Sequence, residues 1–315
     1  MRFSLYNVAD STYHAFQTTM RRTKGNLTIG GSYTYSHSID DSSDRSDATF
    51  VNSYDLRSNK ASSNFDERHL LNVSYIYTLP NLSTAIQSWT NGHTGEPTGD
   101  KQDPPLPSSA PSRLLRILGD GWQLSGITIF QSGTPFSVIN EAGAGVSSLD
   151  NAGGANGVGA GSYPDVNPNP GAAPSEVGNT KSFGPLLGNP NLFVAPRGLT
   201  FGTAGRNFLN NPHRTNFDMS LLKHFPITEG SVLEFRAEAF NLFNHTQFRI
   251  YNSDLGNTGS NSISCYAGPD YTAGFQGPLV DGVVTGPDCV TGNAFLHPVD
   301  AHRPRTIQLG LKYSF

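Results

Sequence analysis

The feature that most limits what this chain can become is strict two-residue alternation, sustained over unusually long segments. Leu27, Ile29, Gly31, Tyr33 and Tyr35 stand on one side of an extended backbone, and Thr28, Gly30, Ser32, Thr34 and Ser36 on the other. That pattern describes a strand whose two faces meet different surroundings. Arg68 to Leu79 repeats it, with Leu71, Val73, Tyr75, Tyr77 and Leu79 against Asn72, Ser74 and Thr78, and Pro80 ends the run. Thr215 to Phe225 alternates Phe217, Met219, Leu221 and Phe225 with Asn216, Asp218, Ser220 and His224 before the turn Pro226 to Gly230. Ser231 to Phe243 sets Leu233, Phe235, Ala237 and Ala239 against Glu234, Arg236 and Glu238. Arg305 to Phe315 sets Ile307, Leu309, Leu311, Tyr313 and Phe315 against Thr306, Gln308, Gly310, Lys312 and Ser314. Two segments are less regular. Ser11 to Arg22 forms a hairpin with the first strand across Thr23-Lys24-Gly25-Asn26. Gly121 to Gln131 puts Trp122, Leu124 and Phe130 on one face, but Ile127 and Ile129 on the polar one, so its orientation stays open.

Strands of about eleven residues exceed the 5–6 usual in soluble sheets and match the ~9–11 that cross a bilayer at a tilt. The connections Ile39 to Phe65, Ser132 to Arg214 and Thr246 to Pro304 are long and rich in Gly, Asn, Asp, Ser and Pro, which suits the extracellular loops of a bacterial barrel. Pro80 to Asp120 should then be a periplasmic turn, yet it is long and Pro-rich, and the expectation for it is disorder. Its Leu114 to Leu118 is the densest apolar stretch, interrupted by Arg116, and nothing approaches the ~20 apolar residues of a membrane helix. A mean hydropathy of −0.36 is compatible with a barrel, because lumen-facing polar residues offset lipid-facing apolar ones. Only 15% of residues are charged, and the net charge of −4 argues against a nucleic-acid partner.

Several groupings imitate chemistry. Asp40, Asp41, Asp44 and Asp47 supply oxygen ligands of the kind Ca²⁺ takes, but Arg45 interrupts them and they read as a solvated loop. Gly157, Gly159 and Gly161 lack the strand-to-helix setting of a nucleotide fingerprint. The nine histidines, His213, His224 and His245 among them, show no metal-ligand pairing, and no serine sits in a nucleophile elbow. The expectation is therefore a non-enzyme with no cofactor and no metal. Glu234, Arg236 and Glu238, with Asp218 on the preceding strand, are expected to line a lumen. Lys223 falls on the apolar face, where its place beside Pro226 would let the ammonium reach lipid headgroups.

The final octet Q-L-G-L-K-Y-S-F resembles the signal by which barrel-assembly machinery reads outer-membrane strands, carried by Gln308, Gly310, Tyr313 and Phe315. F-G-T-A-G-R-N-F-L at 201–209, R-T-N-F-D-M-S-L-L-K-H-F at 214–225 and R-A-E-A-F-N-L-F-N-H-T-Q-F at 236–248 resemble the last strands of TonB-dependent receptors. They are most similar to the Oar-like type with a carboxypeptidase-regulatory-like domain. Y-T-Y-S-H-S-I-D-D at 33–41, F-D-E-R-H at 65–69 and G-W-Q-L-S-G-I-T-I-F-Q-S-G-T-P-F at 121–136 fit the same family.

That resemblance implies an all-β fold: an antiparallel transmembrane barrel segment of about seven or eight strands, part of a barrel of about twenty-two with a plugged lumen. Residues 1–315 would be the C-terminal part of the barrel. Met1 to Asp10 carries no secretory signal, so signal peptide and plug are expected outside this stretch. The implied function is energised uptake of a scarce nutrient, a small molecule or oligomer such as a siderophore, carbohydrate or peptide, across the outer membrane of a Gram-negative bacterium. Its partners would be outer-membrane lipid, the assembly machinery and TonB. A secreted β-sandwich adhesin and a small structural barrel of eight strands are the alternatives. In the oxidising extracellular setting, Cys265 and Cys289 become a candidate disulfide within the last loop.

Overall fold

A computed structural model of the chain describes residues 9–43, 55–83, 86, 110–140, 163–173, 184–194, 201–228, 230–250, 261–265, 289–291, 295–298 and 300–315. Seven long strands dominate it: β1 (Ser11–Lys24), β2 (Leu27–Asp40), β3 (His69–Thr78), β4 (Trp122–Gln131), β5 (Arg214–Thr228), β6 (Ser231–Phe240) and β7 (Thr306–Ser314). They form one sheet in chain order, every neighbouring pair antiparallel, with β1 and β7 at its two ends. Each strand is hydrogen-bonded to its sequence neighbour, the up-and-down meander of membrane barrels.

The register fixes the faces. Tyr33 lies opposite Leu71, Leu71 opposite Phe130, Phe130 opposite Thr215, and one step along, Phe235 pairs with both Lys223 and Leu311. All the apolar stripes read from the sequence therefore fall on one face of one sheet. The same pairing settles the orientation of β4: Trp122, Leu124 and Phe130 join the apolar face, and Ile127 and Ile129 lie among polar residues opposite Asp218 and Asn216. That apolar face is uncovered. Leu311 is 72% exposed and Leu309 67%, and no second sheet of comparable length exists among the described residues. The face-to-face packing that defines a sandwich is missing.

Rings mark both ends of the apolar band. Near the loops, Phe217 packs edge-on against Phe130 and Phe243, with centroids 5.9 and 5.0 Å away. Tyr33 Oη and His69 Nδ1 share a 2.8 Å hydrogen bond at the same height. Near the turns stand Tyr77, Trp122, Phe225, Tyr313 and Phe315. About 27 Å of strand separates Trp122 from Phe130, and at a tilt of about 40° that covers roughly 21 Å of membrane thickness, close to a barrel's apolar band.

The buried core lies in the long connections and not against the sheet. Phe136, Val138, Ile139, Phe193, Ile250, Ile263, Phe295 and Leu296 form a single cluster, with Phe193 edge-on to Phe295 at 6.0 Å. Short strand pairs stitch it together: Pro135–Phe136 with Leu209–Asn210, Asp165–Val166 with Phe193–Val194, and Phe248–Arg249 with Asp300–Ala301. The sequence marks these connections as long polar loops; their described parts fold as a cap with an interior of its own.

The described end of the Pro80 to Asp120 connection also departs from expectation. Ala110–Gly119 is an α-helix, α1, rather than disordered chain, because Leu114, Leu115, Ile117 and Leu118 recur at helical spacing. Its end is held where the Asp120 carboxylate accepts from Ser83 Oγ at 2.6 Å and from the Ser83 backbone N–H at 3.0 Å. Lys223 is a further correction. It is 1% exposed and does not extend toward headgroups: its ammonium donates to the Asp120 carbonyl and lies 5.3 Å from the Trp122 ring and 5.0 Å from Phe225. The cause is Trp122, directly across the ladder, together with the backbone that follows α1. With Phe225, two residues further along β5, they offer the charge a carbonyl and two aromatic faces close at hand.

Candidate functional site

The polar face carries a chain of alternating charge. Arg236 on β6 reaches Glu234 at 3.1 Å and Glu238 at 3.7 Å, and His224 on β5 stands 3.8 Å from Glu234. Glu234 pairs in register with Lys312 and Glu238 with Gln308, so the charges continue onto β7. Glu234, Arg236, Glu238, Gln308 and Lys312 border a hollow of about 360 Å³. Asp218 shares the face but not the chain: its carboxylate accepts from the Asn241 backbone N–H at 2.8 Å and fastens the turn that follows β6. That turn is why Asn241 and Asn244 stand where they do, both with φ of +51°. Asparagine tolerates the left-handed region better than most residues.

Above Asp218, at the loop end of the same face, β5, β6 and the connection into β7 enclose a cleft of about 770 Å³. Arg214, Asn216, Gln247, Arg249, His302 and Arg303 line it with Asp218 and Asp300. Arg249 is held by Asp300 at 2.6 Å, and Gln247 bridges both backbone groups of Thr215. The guanidinium of Arg214 lies 3.3 Å from His302 Nε2, while its Nε–H is buried with no hydrogen-bond partner among the described residues. Burial, with Arg214 and Arg249 close by, holds the His302 imidazolium below the usual histidine range. Across the rim, burial raises the Glu67 carboxyl above the usual range, although its Oε1 accepts from Gln131. The cleft is rich in hydrogen-bond donors and suited to an oxygen-rich solute.

Arg206, unmarked by sequence reasoning except as part of G-R-N, is the clamp of the cap. It is 3% exposed and pairs with Asp40 at the end of β2, 166 positions away; it also donates to the Asp40 and Asn59 carbonyls. Its neighbour Asn207 donates to the Ser62 carbonyl and to Asn64 Oδ1, and its N–H is received by Ser137 Oγ. Two glycines close to this clamp, Gly202 and the Gly133 of S-G-T-P-F, are spatial necessities. A β-carbon on Gly202 would collide with the Tyr163 carbonyl, and one on Gly133 with that of Asn211. Asp40 and Asp41, read as members of a solvated acidic loop, are buried instead: Asp40 serves Arg206, and Asp41 accepts from the Asp10 N–H. Asp44 and Asp47 lie outside the described residues, as do Gly157, Gly159 and Gly161. No metal-holding group occurs among the described residues.

Of the four residues of the signal-like octet, Gln308, Gly310 and Tyr313 sit on β7 and Phe315 follows it. Gln308 and Gly310 pair with Glu238 and Arg236 on the polar face, and Tyr313 pairs with Leu233 on the apolar one. Phe315, just past the strand, is almost wholly exposed, its ring 5.8 Å from that of Tyr313. Cys265 and Cys289 are in-register partners on two short antiparallel strands, Ser262–Cys265 and Cys289–Thr291; their side chains lie outside the described residues.

A family model described as an outer membrane beta barrel domain matches residues 3–100 and 105–269. The chain belongs to that family. Its protein resides in the outer membrane, and the uncovered apolar face of β1 to β7 is the lipid-facing wall of the barrel. The match takes in β1 to β6, and β7 joins by its ladder with β6. No curated protein and no solved structure matches the chain. For an outer-membrane barrel, the polar face is the lumen side of the wall, and the described loops form its cap at one mouth.

Proposed function

We propose that this barrel is the wall and outer mouth of a TonB-dependent receptor that takes up a scarce, oxygen-rich nutrient, a small molecule or oligomer. The observation that carries the reading is the donor-lined cleft of about 770 Å³, where the folded cap meets the charged lumen face. A passive pore needs an open mouth; a receptor needs a shaped one. The sheet order runs from β1 to β7 without those two strands pairing, which suits an arc of a wider barrel better than a complete small one. The receptor-like motifs fit the same reading, since they map onto working parts. G-R-N at 205–207 holds the cap to β2, and the run at 236–248 builds β6 with its asparagine turn. Solute would bind at the cleft without covalent chemistry. Contact with TonB would belong to a plug-bearing part of the same receptor, and insertion to the assembly machinery acting on β7.

The test is comparative depletion of solutes from the growth medium. Cells with the protein, cells lacking it, and cells with it but treated with a protonophore are grown on the same complex medium. The reading expects solutes whose removal is lost both with the gene and with the proton gradient. Removal that needs the gene but not the gradient would replace the receptor with a passive barrel.

A further inference from the structure

The apolar wall does not stop at the last turn. Leu82 is 48% exposed, Ile117 49% and Leu118 57%, and they gather where α1 meets the foot of β4. Three contacts put α1's end on the lipid side of the rim. Trp122, first residue of β4 on the apolar face, donates its indole N–H to the Leu118 carbonyl at 2.8 Å. Lys223, its cross-strand partner on that face, donates to the Asp120 carbonyl. Ser83, bonded twice to Asp120, draws the Leu82 segment alongside, where Leu82 packs against Gly119. The patch is thus continuous with the stripe of Trp122 and Leu124 that already faces lipid.

We propose that α1, with Leu82, is an interfacial anchor lying in the headgroup region of the phospholipid leaflet at the turn end of the barrel. Ten residues rise only about 15 Å, too short to span a bilayer and suited to lying along its surface. Its sequence, A-P-S-R-L-L-R-I-L-G, carries two arginines and no acid, and Arg116 is exposed beside Ile117 and Leu118. Apolar side chains enter the acyl boundary while the cation meets phosphate, the division that makes such helices bind anionic leaflets. Short turns face the periplasm in these barrels, so phosphatidylglycerol in the inner leaflet is the counterpart.

Photocrosslinking in intact cells tests this. A p-benzoylphenylalanine in place of Leu118, irradiated and read by mass spectrometry of its peptide, should carry phospholipid adducts. The same probe in place of Leu311, on the lipid-facing wall, is the positive control and reports that the barrel has inserted. With Arg116→Glu in the same chain, adducts at position 118 should fall several-fold and those at 311 should stay. Adducts to a protein at 118, or none there while 311 reacts with lipid, would overturn the proposal. Should the probe at Leu118 prevent insertion, the probe at Ile117 is read by the same two outcomes.

Discussion

Removing the guanidinium of Arg206 leaves the Asp40 carboxylate buried without its counter-charge, and breaking one side of a buried pair costs about 3–5 kcal/mol. Asp40 lies on the polar face of β2 and Arg206 in the cap, so neither side chain contributes to the lipid-facing side of the sheet. Arg206→Ala should therefore insert at normal levels but expose the 132–214 and 246–304 connections to protease added to intact cells. Unchanged resistance would show that the cap does not depend on this clamp. His302 gives a titratable handle on the same region. Its folded-state pKa lies below 6.5, so its contribution to stability is full above 6.5 and is lost as the pH falls through the window beneath it. Glu67, raised from 4.5, works in the opposite direction: its contribution is full below 4.5 and fades as the pH climbs through its folded value. Protease sensitivity near the cleft should accordingly increase from pH 7 toward pH 5, and His302→Gln should remove that acid-side increase. A profile that His302→Gln leaves unchanged would assign the effect to other groups.

At the scale of elements, β7 forms the last ladder of the sheet and carries the octet that resembles an assembly signal. Deleting Tyr313 to Phe315 from the full-length protein is expected to abolish insertion, since these residues supply aromatics at the interface and the last pair with β6. Wild-type surface levels of the deletion would contradict this. The paired strands carrying Cys265 and Cys289 hold their α-carbons at cross-strand separation, about 4.5–5.5 Å, inside the range a disulfide spans. A bond there should protect both thiols from alkylation in protein kept oxidised and stabilise the loop by about 3 kcal/mol; two alkylated thiols would reject it. The strands were legible because alternation is a local property: Tyr33 and Tyr35 declare a face without reference to any partner. The cap was not, because the meaning of Arg206 depends on Asp40 and that of Phe193 on Phe295, partners far away in sequence. Lys223 misled for a related reason. Its apolar-face position was readable, as was Phe225 two residues on, but the Trp122 ring and the Asp120 carbonyl that receive it come from β4 and the backbone after α1. The helix itself was visible in the spacing of Leu114, Leu115, Ile117 and Leu118, hidden only by the prolines around it.

Across the whole molecule, burial is inverted relative to a soluble domain: the interior lies in the loops and the sheet shows its apolar face outward. Tyr33, Tyr35, Val73, Tyr75, Leu233, Phe235, Leu309 and Leu311 merge on that face into one surface. Soluble monomers usually expose no contiguous apolar patch beyond a few hundred Å², whereas here Tyr35, Leu309 and Leu311 stand open on an uncovered sheet face. Among the described residues the outermost strands β1 and β7 have no partner on their outer side, and such edges invite further association. The central claim, that this face is built for lipid, is tested most directly by size-exclusion chromatography with light scattering on the 315-residue chain in buffer without detergent. The prediction is aggregated or high-mass material that becomes folded β-structure only when detergent is supplied. A monodisperse peak at 33.8 kDa with cooperative unfolding in plain buffer would contradict it.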